Sequence, residues 1–354
     1  MELTKVSVLS PFGRHDVDVA VRVGVSVCLP LFTVYAIGRL DLAAYAALGS
    51  LTSLYGHAET SHRRFETLFV AAITLVATIT ISAVFAAYHG PSWLLVVALV
   101  ATVVGGGTLG ALMGWLPRGE MFFVLALLVL SDIPIAWSNL LPAIAAAAGS
   151  AALSVLLGVV WRPQDDRATL RLSELHRRAA RGLASLDRRQ HYVAVLAAAG
   201  GVLLAWLLAT MLGVGHPFWA PVTVAALMPA LASPEIYRRM AHLVLGTLLG
   251  VGLSAVLFSW KPNHLALITI IVLAQMATEV FIRRQYGVAL VFLSPLAIGM
   301  SNLSRDLPWP PLLIDRATEA SLGASIAFVV ILLGRWLLTK VAERGVAGAV
   351  ADFW

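Results

Sequence analysis

Cysteine is nearly absent from this 354-residue chain, Cys28 being the single one. That excludes an internal disulfide framework and any multi-cysteine metal site. In an apolar stretch, Cys28 reads as a small buried hydrophobe. Charge is scarce as well: charged residues are 12% and hydrophobic residues 59%, against about 25% charged in a soluble domain. The apolar runs do not alternate with polar residues, which argues against a membrane barrel. Gly105-Gly106-Gly107 and Gly110 are not followed by Lys-Ser/Thr, so they read as close helix packing and not as a phosphate loop. There is no nucleophile elbow and no dinucleotide fingerprint. His57 and His62 stand without cysteines or a metal-ligand spacing. An enzyme is not expected, and neither a cofactor nor a metal.

What is present is a series of apolar runs close to the roughly 20 residues that cross a bilayer as a helix. Twelve such segments fall into two sets of six, and the fold class expected is an all-α polytopic membrane protein. The first set is Val19–Ile37, Leu42–Tyr55, Phe65–Ala87, Trp93–Leu116, Met121–Trp137 and Leu140–Trp161. The second is His191–Leu212, Trp219–Ala230, Met240–Trp260, His264–Phe281, Tyr286–Met300 and Leu312–Leu338. The expected domains are a first repeat at 1–161, a basic linker at 162–190, a second repeat at 191–340 and a C-terminal tail at 341–354. The start, MELTKVSVLSPFGRHDVDV, does not read as a cleavable signal, so the first span is expected to remain.

The net charge is +6, but its distribution points away from nucleic acid. With the N-terminus inside, Lys5, Arg14, Arg63, Arg64, Arg118, Arg238, Arg239, Arg283, Arg284, Arg335, Lys340, Arg344 and the linker arginines fall on one side. Arg39, Lys261 and Arg305 fall on the other, with Arg316 at the outer start of the last span. That bias argues for both termini in the cytoplasm, and the Ala-, Val- and Arg-rich usage suggests a bacterium with a GC-rich genome, hence the inner (plasma) membrane. Six spans per set then makes the repeats parallel, about an axis along the membrane normal. One molecule completes such a pair, and a homodimer stays open. The linker carries Arg167, Arg171, Arg177, Arg178, Arg181, Arg188 and Arg189, with apolar residues at helical spacing. It reads as an amphipathic helix on the cytoplasmic membrane surface, or as a solvated linker.

One stretch is said twice. Gly215–Phe258 holds a short apolar segment opened by His216-Pro217-Phe218-Trp219, a basic loop with Arg238-Arg239, and a long segment with Gly246-Thr247, Gly250 and Gly252. Asp41–Ala83 repeats the layout weakly, Tyr45 answering Trp219 and Arg63-Arg64 answering the second arginine pair. The stretches FWAPVTVAALMP, YRRMAH and LGTLLGVGL, with VFLSPLAIG and DRATEASLGASIAF later, resemble the fusaric acid resistance family. That family includes bacterial aromatic acid exporters and is related to the membrane region of plant aluminium-activated malate channels. The first half lacks the Gly-Thr and the Asp-Arg pair, and Leu243-Val244 stand where the family tends to place an arginine. A large soluble domain like that of many bacterial exporters in the family is not expected in these residues. The resemblance implies a transporter exporting small organic anions such as aromatic carboxylates. A passive anion channel and a membrane scaffold for envelope enzymes are the other readings.

Ionisable groups inside spans cost about 2.5–3.5 kcal/mol each on insertion scales, so each needs a reason. Asp132, beside Pro134, is either a mid-membrane proton site in a broken helix or a residue at the outer interface. Arg22 either draws an anion, pairing with Asp132 or Glu279, or snorkels inward. Glu279, four residues after Gln275, is a transport residue or a partner of Arg283. Asp315, Arg316 and Glu319 open the last span as a gate or as acids suited to a helix start. Arg63, Arg64, Arg238 and Arg239 ring an anion-gathering vestibule or simply set topology. Tyr45, Trp219, Thr223 and His216 line an aromatic-acid pocket or belong to the interfacial belt.

Overall fold

The computed structural model describes residues 14–57, 59, 61–117, 119–161, 172–231, 233–305 and 307–351. Lys5, Arg118, Arg167 and Arg171 lie outside them. Every regular element described is a helix. In chain order these are α1 (Arg14–Ala36), α2 (Ala43–Ser50, flanked by 3-10 turns to make Leu40–Leu54), α3 (Ser61–Tyr88), α4 (Ser92–Met113), α5 (Met121–Ser131) and α6 (Trp137–Val160). Then come α7 (Leu172–Ser185), α8 (Arg188–Met211), α9 (Trp219–Leu227, extended by a 3-10 turn to Ala230), α10 (Ile236–Phe258), α11 (His264–Ile282), α12 (Tyr286–Leu303) and α13 (Trp309–Ala351). The residues read as a tail from 341 thus continue α13 as far as Ala351.

Nine of these helices are long and apolar enough to cross a membrane among the described residues: α1, α3, α4, α6, α8, α10, α11, α12 and α13. Leu40–Leu54, Met121–Ser131 and Trp219–Ala230 are shorter. The length of α5 is a correction to the Met121–Trp137 span. Pro134 has no N–H to donate and disfavours helical geometry at Ile133, so the helix stops with Asp132 as its C-cap.

The apolar runs supply the helices, and local chemistry ends them. Asp187 accepts from the Arg189 and Gln190 N–H groups to open α8, and Asn263 accepts from Ala266 to open α11. Gly114 closes α4 in the left-handed conformation. Hydroxyls within spans bond back to carbonyls four residues earlier, as Ser26 does to Arg22 and Thr78 to Thr74, so they need no water.

Each short segment is wedged inside its own half. α2 packs on α1 and α6, and α9 packs on α8 and α13. Between halves the contacts are reciprocal: α1 meets α11 and α4 meets α8; α2 meets α12 and α5 meets α9. Glycines permit the closest approaches. A Cβ on Gly49 would strike the Ala147 carbonyl, joining α2 to α6. A Cβ on Gly323 would strike the Ala220 carbonyl, joining α13 to α9. Gly246 and Gly250 seat α10 on the backbone of α12, where Ser294 donates to the Thr247 carbonyl at 3.2 Å. Gly252, in the same motif, faces open space.

Candidate functional site

α9 begins inside the protein, and this creates its chemistry. The first N–H groups of a helix have no partner within it. Those of Trp219 and Ala220 donate to Glu319 Oε2, at 2.9 and 3.1 Å. Glu319 comes from α13, ten residues after Trp309 and so ~15 Å along that helix, and it is fully buried. An anion suits a helix N-terminus. One turn earlier, the Arg316 guanidinium lies 5.3 Å from the Trp219 ring centroid. Asp315 Oδ2 is 2.7 Å from His216 Nδ1, and the His216 ring stacks on Trp219 at 5.4 Å and 26°. Phe218 meets Trp219 edge-on at 5.2 Å. Thr223, also buried, bonds back to the Trp219 carbonyl.

The result is a buried cluster with one guanidinium, two carboxylates, an imidazole and two aromatic faces. It is not fully satisfied. Arg316 Nε and Glu319 Oε1 are buried with no protein hydrogen-bond partner, a state that costs free energy until a polar ligand or water meets it. A guanidinium over an indole can hold a carboxylate by charge and a flat ring by stacking. The clustering of Glu319 with Trp219 is not visible in sequence, where 99 residues separate Glu319 from Ala220.

The first half lacks this chemistry. When Ala147 is set opposite Gly323, Asn139, Leu140 and Ala143 take the places of Asp315, Arg316 and Glu319. Tyr45 is buried like Trp219, but its hydroxyl has no protein partner. Arg39 caps this end instead, bonding Asp41 at 2.8 Å and Asn139 at 3.2 Å. The Arg39 guanidinium beside Asp41 holds that carboxyl below its usual range.

The other expected residues lie apart from this cluster. Asp132 is at the end of α5, its side chain 40% exposed, and pairs with Arg305 at 3.0 Å. That corrects its mid-membrane placement and removes it as a partner for Arg22, since α1 carries Arg22 near the opposite face. Arg22 does not snorkel: it is buried between α1 and α6, beside Gly158. Its charge and that of Arg283 reach Glu279, which accepts from Gln275 at 3.3 Å. Nearby, Asp16 and Arg284 pair at 2.7 Å across the α1–α11 seam.

The four loop arginines do not form one ring. Arg64 is buried and donates to the Gly56 and Glu59 carbonyls, so it clamps its own loop. Arg63 is exposed. Arg238 pairs with Glu235 on the surface, and Arg239 lies 4.5 Å over the Tyr286 ring. The linker helix α7 is docked on protein. Gly182 presses on the Leu112 carbonyl of α4. Arg178 bonds Glu59 Oε1 at 2.6 Å, Thr67 at 3.0 Å and the Met113 carbonyl at 2.8 Å.

Sequence reasoning missed Glu120, which is 3% exposed at the start of α5. Burial pushes its carboxyl up to about 7. The local signal was a lone acid before an apolar run; its contact with Gly106 and Gly107 is a long-range feature of the fold. Among the described residues, no group of three or more His, Cys, Asp or Glu is placed to hold a metal ion.

Residues 204–330 match the family described as fusaric acid resistance protein-like, which supports the assignment to that family. The matched range contains the whole cluster around Trp219. No curated protein and no solved structure matches the chain.

Proposed function

From a multi-pass membrane protein whose second half carries a fusaric acid resistance-type domain, a domain that suggests transport or efflux, we propose an exporter of small organic anions, aromatic carboxylates among them. The observation that carries this reading is Arg316 over Trp219, with its Nε unsatisfied, at the buried start of α9. The substrate carboxylate meets Arg316. Its ring lies among Trp219, Phe218 and His216. Glu319 Oε2 occupies the first α9 N–H groups, which leaves the Arg316 guanidinium as the group that meets the substrate carboxylate. The His216–Asp315 pair fixes the imidazole beside the indole. The reciprocal contacts between halves support a pseudo-twofold pair of six-helix repeats within one chain. The arginine-rich loop ends support cytoplasmic termini, and the Ala-, Val- and Arg-rich usage supports a bacterial inner membrane.

The test is equilibrium binding to the purified protein in nanodiscs, with benzoate-like and aliphatic carboxylates compared. Binding of the aromatic acids and its weakening in R316M by roughly tenfold or more is expected, the size of one charge-assisted hydrogen bond. Equal binding by R316M and wild type refutes the site.

A further inference from the structure

We propose that Glu120 is the group that binds a coupling proton, and that its carboxyl keeps the two halves packed at the basic face only while it carries that proton. The inference rests on the transport reading above for its purpose, but not for its geometry. Glu120 lies in the loop between α4 and α5, folded against the glycine face of α4. A Cβ on Gly106 would come within 3.0 Å of Glu120 Cβ, and one on Gly107 within 3.2 Å of Oε2. One turn on, a Cβ on Gly110 would be 3.0 Å from Trp115 Nε1. The glycines therefore make the space that the carboxyl and the indole fill. Glu120 Oε1, Tyr55 Oη, Trp115 Nε1 and Thr52 Oγ1 are all buried without a protein hydrogen-bond partner. Tyr55 stacks on Phe123 at 6.1 Å and meets Trp115 edge-on at 5.3 Å.

This carboxyl sits at the seam. Gly119, next to it, rests on Pro229 at the end of the α9 segment, and Gly107 faces Val195 of α8. The far end of that α9 segment begins with Trp219. Thr108 and His191 meet across the same seam at 3.1 Å.

Among the described residues, the surroundings offer no charge to an ionised Glu120. α4, α5 and the α9 segment contain no Asp, Glu, Lys, Arg or His. The titratable neighbours are Tyr55, which the Glu120 charge reaches, and His191 on α8 beside Thr108. Glu59, Arg64 and Glu66 of the α3 end and Arg178 of α7 form their own network on the same face. Arg118 lies outside the described residues. A carboxylate so placed is disfavoured, a carboxylic acid is not. Burial pushes the group up to about 7, whereas a solvated glutamate titrates near 4.3. The packed state therefore holds the proton more tightly than a state in which the loop is released to water. That preference is complete below the solvated value and is lost as pH rises through about 7, so rising pH favours release.

The test uses E120Q, which mimics the protonated form, in the full chain. Thermal stability of the wild type should fall between about pH 5 and about pH 8, while that of E120Q stays level. In proteoliposomes, E120Q should lose accumulation driven by a pH gradient yet keep downhill exchange of substrate. A second variant, Gly107→Ser, places a hydroxyl donor beside Oε2 and should move the stability midpoint down in pH. A purely structural Glu120 would shift stability equally at every pH. Such a uniform shift, an unmoved midpoint in Gly107→Ser, or full pH-driven accumulation by E120Q would overturn the proposal. Absence of flux in the wild type would instead refute the transport reading, with the stability titration still deciding Glu120.

Discussion

The two halves solve one packing problem with different chemistry. In each, a short helix is wedged between the first and last helices of its half, through one glycine. In the first half the glycine is on the short helix, Gly49 against Ala147; in the second it is on the last helix, Gly323 against Ala220. The second half then adds buried Arg316, over Trp219, and buried Glu319, on the α9 N–H groups; at the matching positions the first half has Leu140 and Ala143. Apolar packing is enough to hold the wedge, so the charges in the second half are not required for architecture. Buried ionic groups are weak contributors to stability, and their retention on one side points to function on that side.

The largest effect should come from Glu319→Ala. It strands the two buried N–H groups of Trp219 and Ala220, a loss of about 1–3 kcal/mol for each unsatisfied group, read as thermal unfolding of the purified protein. E319Q should recover part of this, because its amide oxygen can accept from Trp219 and Ala220. The mirror change, Ala143→Glu, inserts an uncompensated carboxylate in the first half and should be comparably severe; a harmless Ala143→Glu would show that both halves accept a buried carboxyl at this position.

Closing the glycine contacts comes next. Gly323→Ala and Gly49→Ala should each cost about 1–3 kcal/mol through forced helix separation, with Gly323→Ala also weakening ligand binding and Gly49→Ala not. Binding lost equally in both would erase the distinction. Trp219→Leu should cost about 0.5–2 kcal/mol for the lost cation–π contact and discriminate against aromatic over aliphatic acids, whereas Tyr45→Leu should leave that selectivity unchanged. Asp132→Asn should be the mildest. The Arg305 pair is partly exposed, which makes it worth about 0–1 kcal/mol, and substrate flux should stay near wild type.

Much of the layout was legible because apolar runs and their breaks are local signals. Helix positions from Phe65 to Ala87 and from His264 to Phe281 could be read directly, and Pro134 announced the end of α5. The site was legible only in pieces. His216, Trp219, Asp315 and Arg316 stood out as polar or aromatic groups at segment starts, but the bond from Glu319 to the α9 backbone is a long-range contact that no periodicity encodes. Asp132 drew attention as an acid beside the Pro134 break, either mid-membrane or at the outer interface; with the helix stopping at Ser131 and the Arg305 partner, the residue is at a face. Arg64 and Arg178 looked like free surface charge, because their partners are backbone carbonyls and distant acids. Glu120 was passed over because its meaning comes from the glycines opposite it.

The most direct measurement is flux of an aromatic carboxylate in proteoliposomes of the wild type and R316M, with a pH gradient and a membrane potential imposed separately. The account predicts uphill movement by the wild type under the pH gradient and its loss in R316M, with Asp132→Asn active. Voltage-driven downhill conductance without a proton requirement would make the protein a channel. Equal flux by R316M and wild type would contradict the assignment of transport to the second-half cluster.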